Sequence, residues 1–82
     1  MESLVIHAVS WESAEGFCAG LSAFGPKMRE LEGGRYEVEI PLGGSDRAIV
    51  SVLRALEDYV SHRRQGSARI EVYGRKYTMH PQ

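Results

Sequence analysis

The side chains able to do chemistry in this 82-residue chain are few and scattered. His7, His62 and His80 stand far apart, with no pair at i,i+4 spacing and no companion Asp/Glu set. Zinc and its relatives need three or four converging donors, so no metal site is expected. The single cysteine, Cys18, can form neither an internal disulfide nor a cysteine zinc site. It also falls on an apolar helical stripe, where a thiol is inert packing rather than a nucleophile. No two carboxylates stand at a spacing suited to acid–base work. Trp11 beside Glu12 could line a pocket, although a tryptophan at such a junction more often covers the edge of a core.

Two basic constellations remain. Gly43, Gly44 and Ser45 open the longest helical pattern, with Arg47 just inside it. Free backbone N–H groups and the positive helix end suit a phosphate or carboxylate. LGGSD lacks the lysine and the spacing of a phosphate-binding P-loop, so the signal is unspecific. The second set is His62, Arg63, Arg64, Arg69 and His80. Cations in a helix's last turn are expected from the dipole alone, and this set needs no ligand to explain it.

The elements that must position these residues start with Ser45 to Arg64. Ile49, Val52, Leu53, Leu56 and Val60 recur at steps of three and four, with Tyr59 at the margin. Ser45 is the expected N-cap and Gly66 the expected left-handed stop. Leu4 to Val9 is short and apolar and reads as a central strand buried on both faces. Ser10 to Glu12 carries a helix start, followed by Ala14, Phe17, Cys18, Leu21 and Phe24 at helical spacing up to Gly25-Pro26. Gly16 and Gly20 weaken that helix; four apart on one side, they could let a backbone approach closely, and the blander reading is tolerated glycines on a partly exposed face.

Lys27 to Glu32 and Tyr36 to Leu42 flank Gly33-Gly34 as a hairpin, the first arm being a charged edge strand. A loop of Gly33, Gly34 and Arg35 predicts Met28 opposite Ile40 and Arg29 opposite Glu39. Residues 68–80 read as a second hairpin turning on Gly74-Arg75. That turn sets Val72 against Tyr77, Ile70 against Met79, Glu71 against Thr78 and Arg69 against His80.

Composition bounds the rest. The net charge is −1, but the first 41 residues carry seven glutamates against Lys27, Arg29 and Arg35. The second half carries seven cations against four acids, a weak pointer to an anionic partner. A chain of this size makes one domain, residues 1–82, burying about 60–65% of its unfolded surface. No apolar run is long enough for a membrane and no leader segment is visible, so a cytoplasmic protein is the default expectation.

The element order β-α-β-β-α-β-β resembles the ferredoxin-like superfold, an α+β fold. The resemblance implies an antiparallel sheet of order 4-1-3-2 with two helices on one face, here extended by an extra C-terminal strand beside strand 4. It is a likeness of topology, carried by no family motif, and the fold hosts unrelated functions. It implies an open sheet face bearing Val5, His7, Val9, Glu37, Glu39, Arg69, Glu71 and Tyr73. RNA-binding members of the superfold stack bases on central aromatics there, whereas valine and histidine hold those positions here.

The first expectation is a non-enzymatic interaction or regulatory module, homodimeric or bound to a protein partner through that face. The second is anion binding, of nucleic acid or a phosphorylated ligand, at Gly43, Gly44, Ser45, Arg47, Arg75 and Lys76, which this topology gathers at one end. The third, from pocket-bearing relatives of the topology, is a cofactor-free enzyme using Trp11, His7 and Tyr73. No catalytic residue, cofactor or metal is assigned.

Overall fold

The computed structural model describes residues 3–43, 46–63 and 68–80. In chain order the elements are β1 (Ser3–Ala8), α1 (Trp11–Gly20), β2 (Lys27–Glu30), β3 (Tyr36–Pro41), α2 (Asp46–Arg63), β4 (Ala68–Val72) and β5 (Arg75–Met79). Short 3₁₀ turns at Ser22–Phe24 and Glu32–Gly34 complete them. The five strands form one antiparallel sheet of order β2-β3-β1-β4-β5, and the two helices pack on it. This is an α+β fold with an open sheet.

One face of the sheet makes the core. Leu4, Ile6 and Ala8 of β1, Val38 and Ile40 of β3, and Ile70 and Val72 of β4 are buried there. Ala14, Phe17 and Leu21 meet them from α1 and its cap, and Val52, Leu56 and Val60 from α2. These are positions at steps of two on the strands and of three or four on the helices, the periods each element requires. β1 is central, as expected, but it is buried on one face only: Val5 and His7 alternate with the core residues and remain partly exposed.

Ser10 caps α1 as its type predicts. Its backbone is extended, and its hydroxyl accepts a hydrogen bond of 3.2 Å from the Ser13 N–H. The helix closes at Leu21, whose N–H donates to the Phe17 carbonyl at 2.9 Å. Gly20 is more than tolerated. A Cβ there would stand 2.5 Å from Cδ2 of Tyr59, whose ring packs on Phe17 with centroids 5.2 Å apart. The glycine lets the aromatic ring of α2 lie against the end of α1. For α2, the Ser45 cap and Gly66 stop expected from sequence fall outside the described residues.

Both hairpins differ from the expected register, and by the same step. In the first, Met28 pairs with Val38 and Arg29 with Glu37. The cause is the connection: Glu32–Gly34 form a 3₁₀ turn with Gly33 and Gly34 both at positive φ, and the Leu31 N–H closes it on the Arg35 carbonyl at 2.7 Å. In the second, Val72 pairs with Arg75, Ile70 with Tyr77 and Arg69 with Thr78. The turn residues are Tyr73 and Gly74, at φ of 53° and 74°. Positive φ at both central positions is the signature of a type I′ turn, whose twist matches the flanking strands, so Tyr73 replaces Arg75 in the turn. Each register moves by two residues, which leaves the side chains that remain in the paired strands on their expected faces.

Candidate functional site

The face of the sheet away from the helices presents two unlike halves. On the β2–β3 side, Arg29 bridges two glutamates: its Nη1 lies 3.9 Å from Glu37 Oε1 and its Nη2 3.8 Å from Glu39 Oε2. The Ser3 hydroxyl donates to the same Glu39 carboxylate at 3.4 Å. At the centre, His7 stands between carboxylates from both neighbouring strands. Its Nδ1 is 3.8 Å from Glu37 Oε2 and its Nε2 3.6 Å from Glu71 Oε2.

On the β4–β5 side the charges are not matched. Arg69 lies directly opposite His7 on one side and Thr78 on the other. Lys76 lies opposite Glu71 in register. Among the described residues, Arg35, Arg69 and Lys76 have no carboxylate within ion-pairing distance. These three, with His7, line one open cleft of about 840 Å³ where β1, β4 and β5 meet the start of β3. Thr78, opposite Arg69, lines it from the same face, whereas Tyr36 and Tyr77, also among the lining residues, alternate with the cations and belong to the helix side of the sheet. Among the described residues, no acidic one lines the cleft. Tyr77 sits opposite Ile70 on the helix side of β5 and is 48% exposed.

The expected open-face set divides. Val5, His7, Glu37, Glu39, Arg69 and Glu71 do share the face. Val9 and Tyr73 do not. Val9 lies beyond the end of β1, in the bend leading to α1, and is 83% exposed. Tyr73 lies in the β4–β5 turn, because the type I′ geometry takes it out of the strand. Val5 is therefore the remaining apolar residue at the centre of that face.

The anion cradle expected at the start of α2 is also redistributed. Gly44 and Ser45 lie outside the described residues. Gly43 ends the β3 loop at positive φ, and Arg47 is exposed on the first turn of α2. Arg75 and Lys76 are consecutive strand residues and so project to opposite faces. Lys76 joins the cleft; Arg75 does not line it. Of the second basic set, Arg69 belongs to the cleft, while His62 is exposed on α2 with its Nδ1 2.8 Å from the Asp58 carbonyl. His80 is exposed just beyond β5. The Arg63 side chain and all of Arg64 lie outside the described residues.

The residues proposed for catalysis do not converge. His7 lines the cleft; Trp11 and Tyr73 do not, and Tyr73 follows Val72, which pairs with Leu4 at the other end of β1. Cys18 is half-buried, and burial, with the nearby Glu15 carboxylate, pushes its thiol above its ordinary pKa. A raised pKa keeps the sulfur protonated and a poor nucleophile at neutral pH. Among the described residues, no group of three or more His, Cys, Asp and Glu is gathered for a metal ion, and no helix is long and apolar enough to cross a membrane.

Arg35 and Tyr77 are not among the site residues expected from sequence, which places the first in the loop of the first hairpin and the second opposite Val72. No protein-family model, curated protein or solved structure matches this chain.

Proposed function

We propose that this chain is a small non-enzymatic binding module that takes a phosphate-bearing anion in the cleft at the His7 end of its sheet. One observation carries the reading. Arg35, Arg69 and Lys76 come from three separate segments, line one cleft, and lack a carboxylate partner among the described residues. Exposed cations are ordinarily scattered or paired, and a cleft lined by one sign of charge concentrates ligands of the other. Titration with phosphorylated ligands and oligonucleotides at low and high salt tests it, because binding to several phosphates weakens steeply with salt. Failure of every such anion to bind at low salt removes the reading.

The reading places the cleft on a ferredoxin-like arrangement lengthened by β5, supported by the strand order β2-β3-β1-β4-β5 and by both helices lying against one face. It also keeps the protein in the cytoplasm, where phosphorylated metabolites and nucleic acids are found. Homodimerisation through the open face has less behind it than the sequence implied. Its apolar centre was to be Val5 with Val9, and Val9 stands off the face. Light scattering at low and high salt decides that point: a dimer that persists in salt returns the open face to the leading role.

A further inference from the structure

The anion reading leaves open what carries the phosphate, and the sheet edge beside the cleft separates the carriers. Resting on that reading, we propose that the carrier is an extended phosphorylated peptide that adds beside β5 as a further strand, with its phosphate over Lys76 and Thr78.

The edge itself comes first. Among the described residues β5 is the last strand of the sheet, and Arg75, Lys76, Tyr77 and Thr78 are all exposed. In an antiparallel pair, a strand turns its backbone N–H and C=O toward a given neighbour at every second residue. The type I′ turn at Tyr73-Gly74 makes Val72 and Arg75 the first bonded pair, so Arg75, Tyr77 and Met79 serve β4. The backbone groups of Lys76 and Thr78 therefore point off the sheet. Such groups are a template for another strand, and a class of peptide-binding domains uses them in this way.

The same two residues line the cleft, and Arg69 lies opposite Thr78 on the same face. A strand added at β5 would set every second side chain beside Lys76 and Thr78 on that face. Glu71, opposite Lys76 on β4, has its carboxylate 3.6 Å from His7 Nε2, on the side of β1. A phosphate brought by the added strand would meet a lysine, a threonine hydroxyl and, one strand further in, an arginine. The alternate side chains of the peptide would fall on the helix side, beside the half-exposed ring of Tyr77. The pattern that fits is a phosphorylated residue with an apolar neighbour on each side.

Charge selects this edge over the other. The β2 edge carries Glu30 with Lys27 and Arg29, and Arg29 is already held between Glu37 and Glu39. β5 carries Arg75 and Lys76 and no acid. A nucleic-acid strand needs a cationic track that continues from one phosphate to the next. Here the track ends one strand in from β4, where His7 stands between Glu37 and Glu71.

The test is calorimetric titration of the full chain, at low and moderate salt, with four probes. These are a capped peptide alternating threonine and valine around one central phosphothreonine, its unphosphorylated form, free phosphothreonine, and oligothymidylate. The phosphopeptide is expected to bind at least about tenfold more tightly than each of the others, or about 1.4 kcal/mol. Lys76→Glu should lower its affinity by at least as much, and Arg29→Glu should leave it unchanged. Thr78→Pro removes an N–H that β4 does not use and is compatible with an edge strand, yet it should bring the phosphopeptide down to the affinity of free phosphothreonine. Circular dichroism shows whether each variant folds. Should Thr78→Pro not fold, two phosphopeptides N-methylated on alternate sets of residues replace it: one set should lose binding and the other keep it. Equal affinity for phosphopeptide and free phosphothreonine, or indifference to Thr78→Pro and to both N-methylated sets, would overturn strand addition and leave anion binding standing. Tighter binding of oligothymidylate with steep salt dependence would also overturn it, in favour of nucleic acid. Equal affinity for the two unmodified peptides would overturn phosphate recognition at this edge. No binding of any phosphate-bearing probe would remove both the proposal and the reading it rests on.

Discussion

On one side of β1, the β2–β3 hairpin holds Arg29 between Glu37 and Glu39; on the other, the β4–β5 hairpin leaves Arg69 and Lys76 without a carboxylate among the described residues. The two wings are otherwise alike. Each is an antiparallel pair ending in an edge strand, and each is closed by residues at positive φ. The first meets that demand with Gly33 and Gly34, the second with Tyr73 and Gly74. A tyrosine in the left-handed region carries a steric cost that glycine does not. The first wing thus has glycines in its turn and an arginine held between two carboxylates, although Lys27, opposite Glu39, has no carboxylate within ion-pairing distance among the described residues. The other carries a strained turn and unmatched cations beside a cleft. Charge left unmatched on a folded surface is what a ligand of opposite sign can complete, and that is the difference the function is read from.

The largest effect expected is on binding. Reversing Arg69 and Lys76 together to glutamate should lower affinity for a phosphorylated ligand by about 10²-fold or more, roughly 2.7 kcal/mol, while Arg29→Glu changes it little. Equal losses from the two wings would break the comparison, and isothermal titration of the variants reads it directly.

Next come the turns, with opposite signs. Gly34→Ala puts a Cβ on a residue at φ of 75° and should cost about 1–2 kcal/mol in urea unfolding. Tyr73→Asn creates Asn-Gly, the pair favoured in type I′ turns, and should gain about 1 kcal/mol. In a domain of this size each kcal/mol moves the thermal midpoint by about 4–8 °C, so both shifts are measurable. A midpoint that falls on Tyr73→Asn would mean the ring makes a contact worth more than the strain.

Smaller again is Arg29→Ala. Its two carboxylate contacts are long and its side chain is 65% exposed, so the loss should not exceed about 1 kcal/mol and should fade in salt. A larger, salt-independent loss would show that the paired wing is a structural anchor rather than a neutralised surface.

The helical layer supplies a control for both wings. Burial raises the Cys18 pKa, so the folded state favours the protonated thiol. That contribution is fully present below the ordinary thiol range and is lost as pH rises through the raised pKa. Stability should therefore decline slightly from neutral to alkaline pH, and the decline should vanish in Cys18→Ala. Thiol alkylation at neutral pH should be slow for the same reason.

What could be read in the sequence was what period and local chemistry decide. Ser10 announces its cap by type, and Val38, Ile40, Ile70 and Val72 announce their shared face by alternation, whereas the apolar run Leu4 to Val9 reads as buried on both faces and hides its one-sided burial. Register was not legible in the same way. It depends on which residues adopt positive φ, and nothing in the order Val72-Tyr73-Gly74-Arg75 says that a tyrosine will accept that cost. The cleft was legible only in fragments. Arg69 and Lys76 stand in two different basic sets, and Arg35 reads as part of a loop. Those residues meet only because β1 lies between β3 and β4, a long-range fact that no local window contains.

That placement of β1 also bears on the order of events in synthesis. Its partners are residues 36–41 on one edge and residues 69–72 on the other, both made later than it is. Until residues 68–72 have been made, one side of Leu4–Ala8 has no ladder to join, and Leu4 and Ile6 lack Val72 and Ile70 beside them. A nascent chain of this design carries an apolar strand with an open edge while about sixty residues are added, the kind of segment that non-local pairing leaves open to aggregation. The same arrangement makes the final hairpin the closing step of the sheet, so the wing that bears the cleft is assembled last.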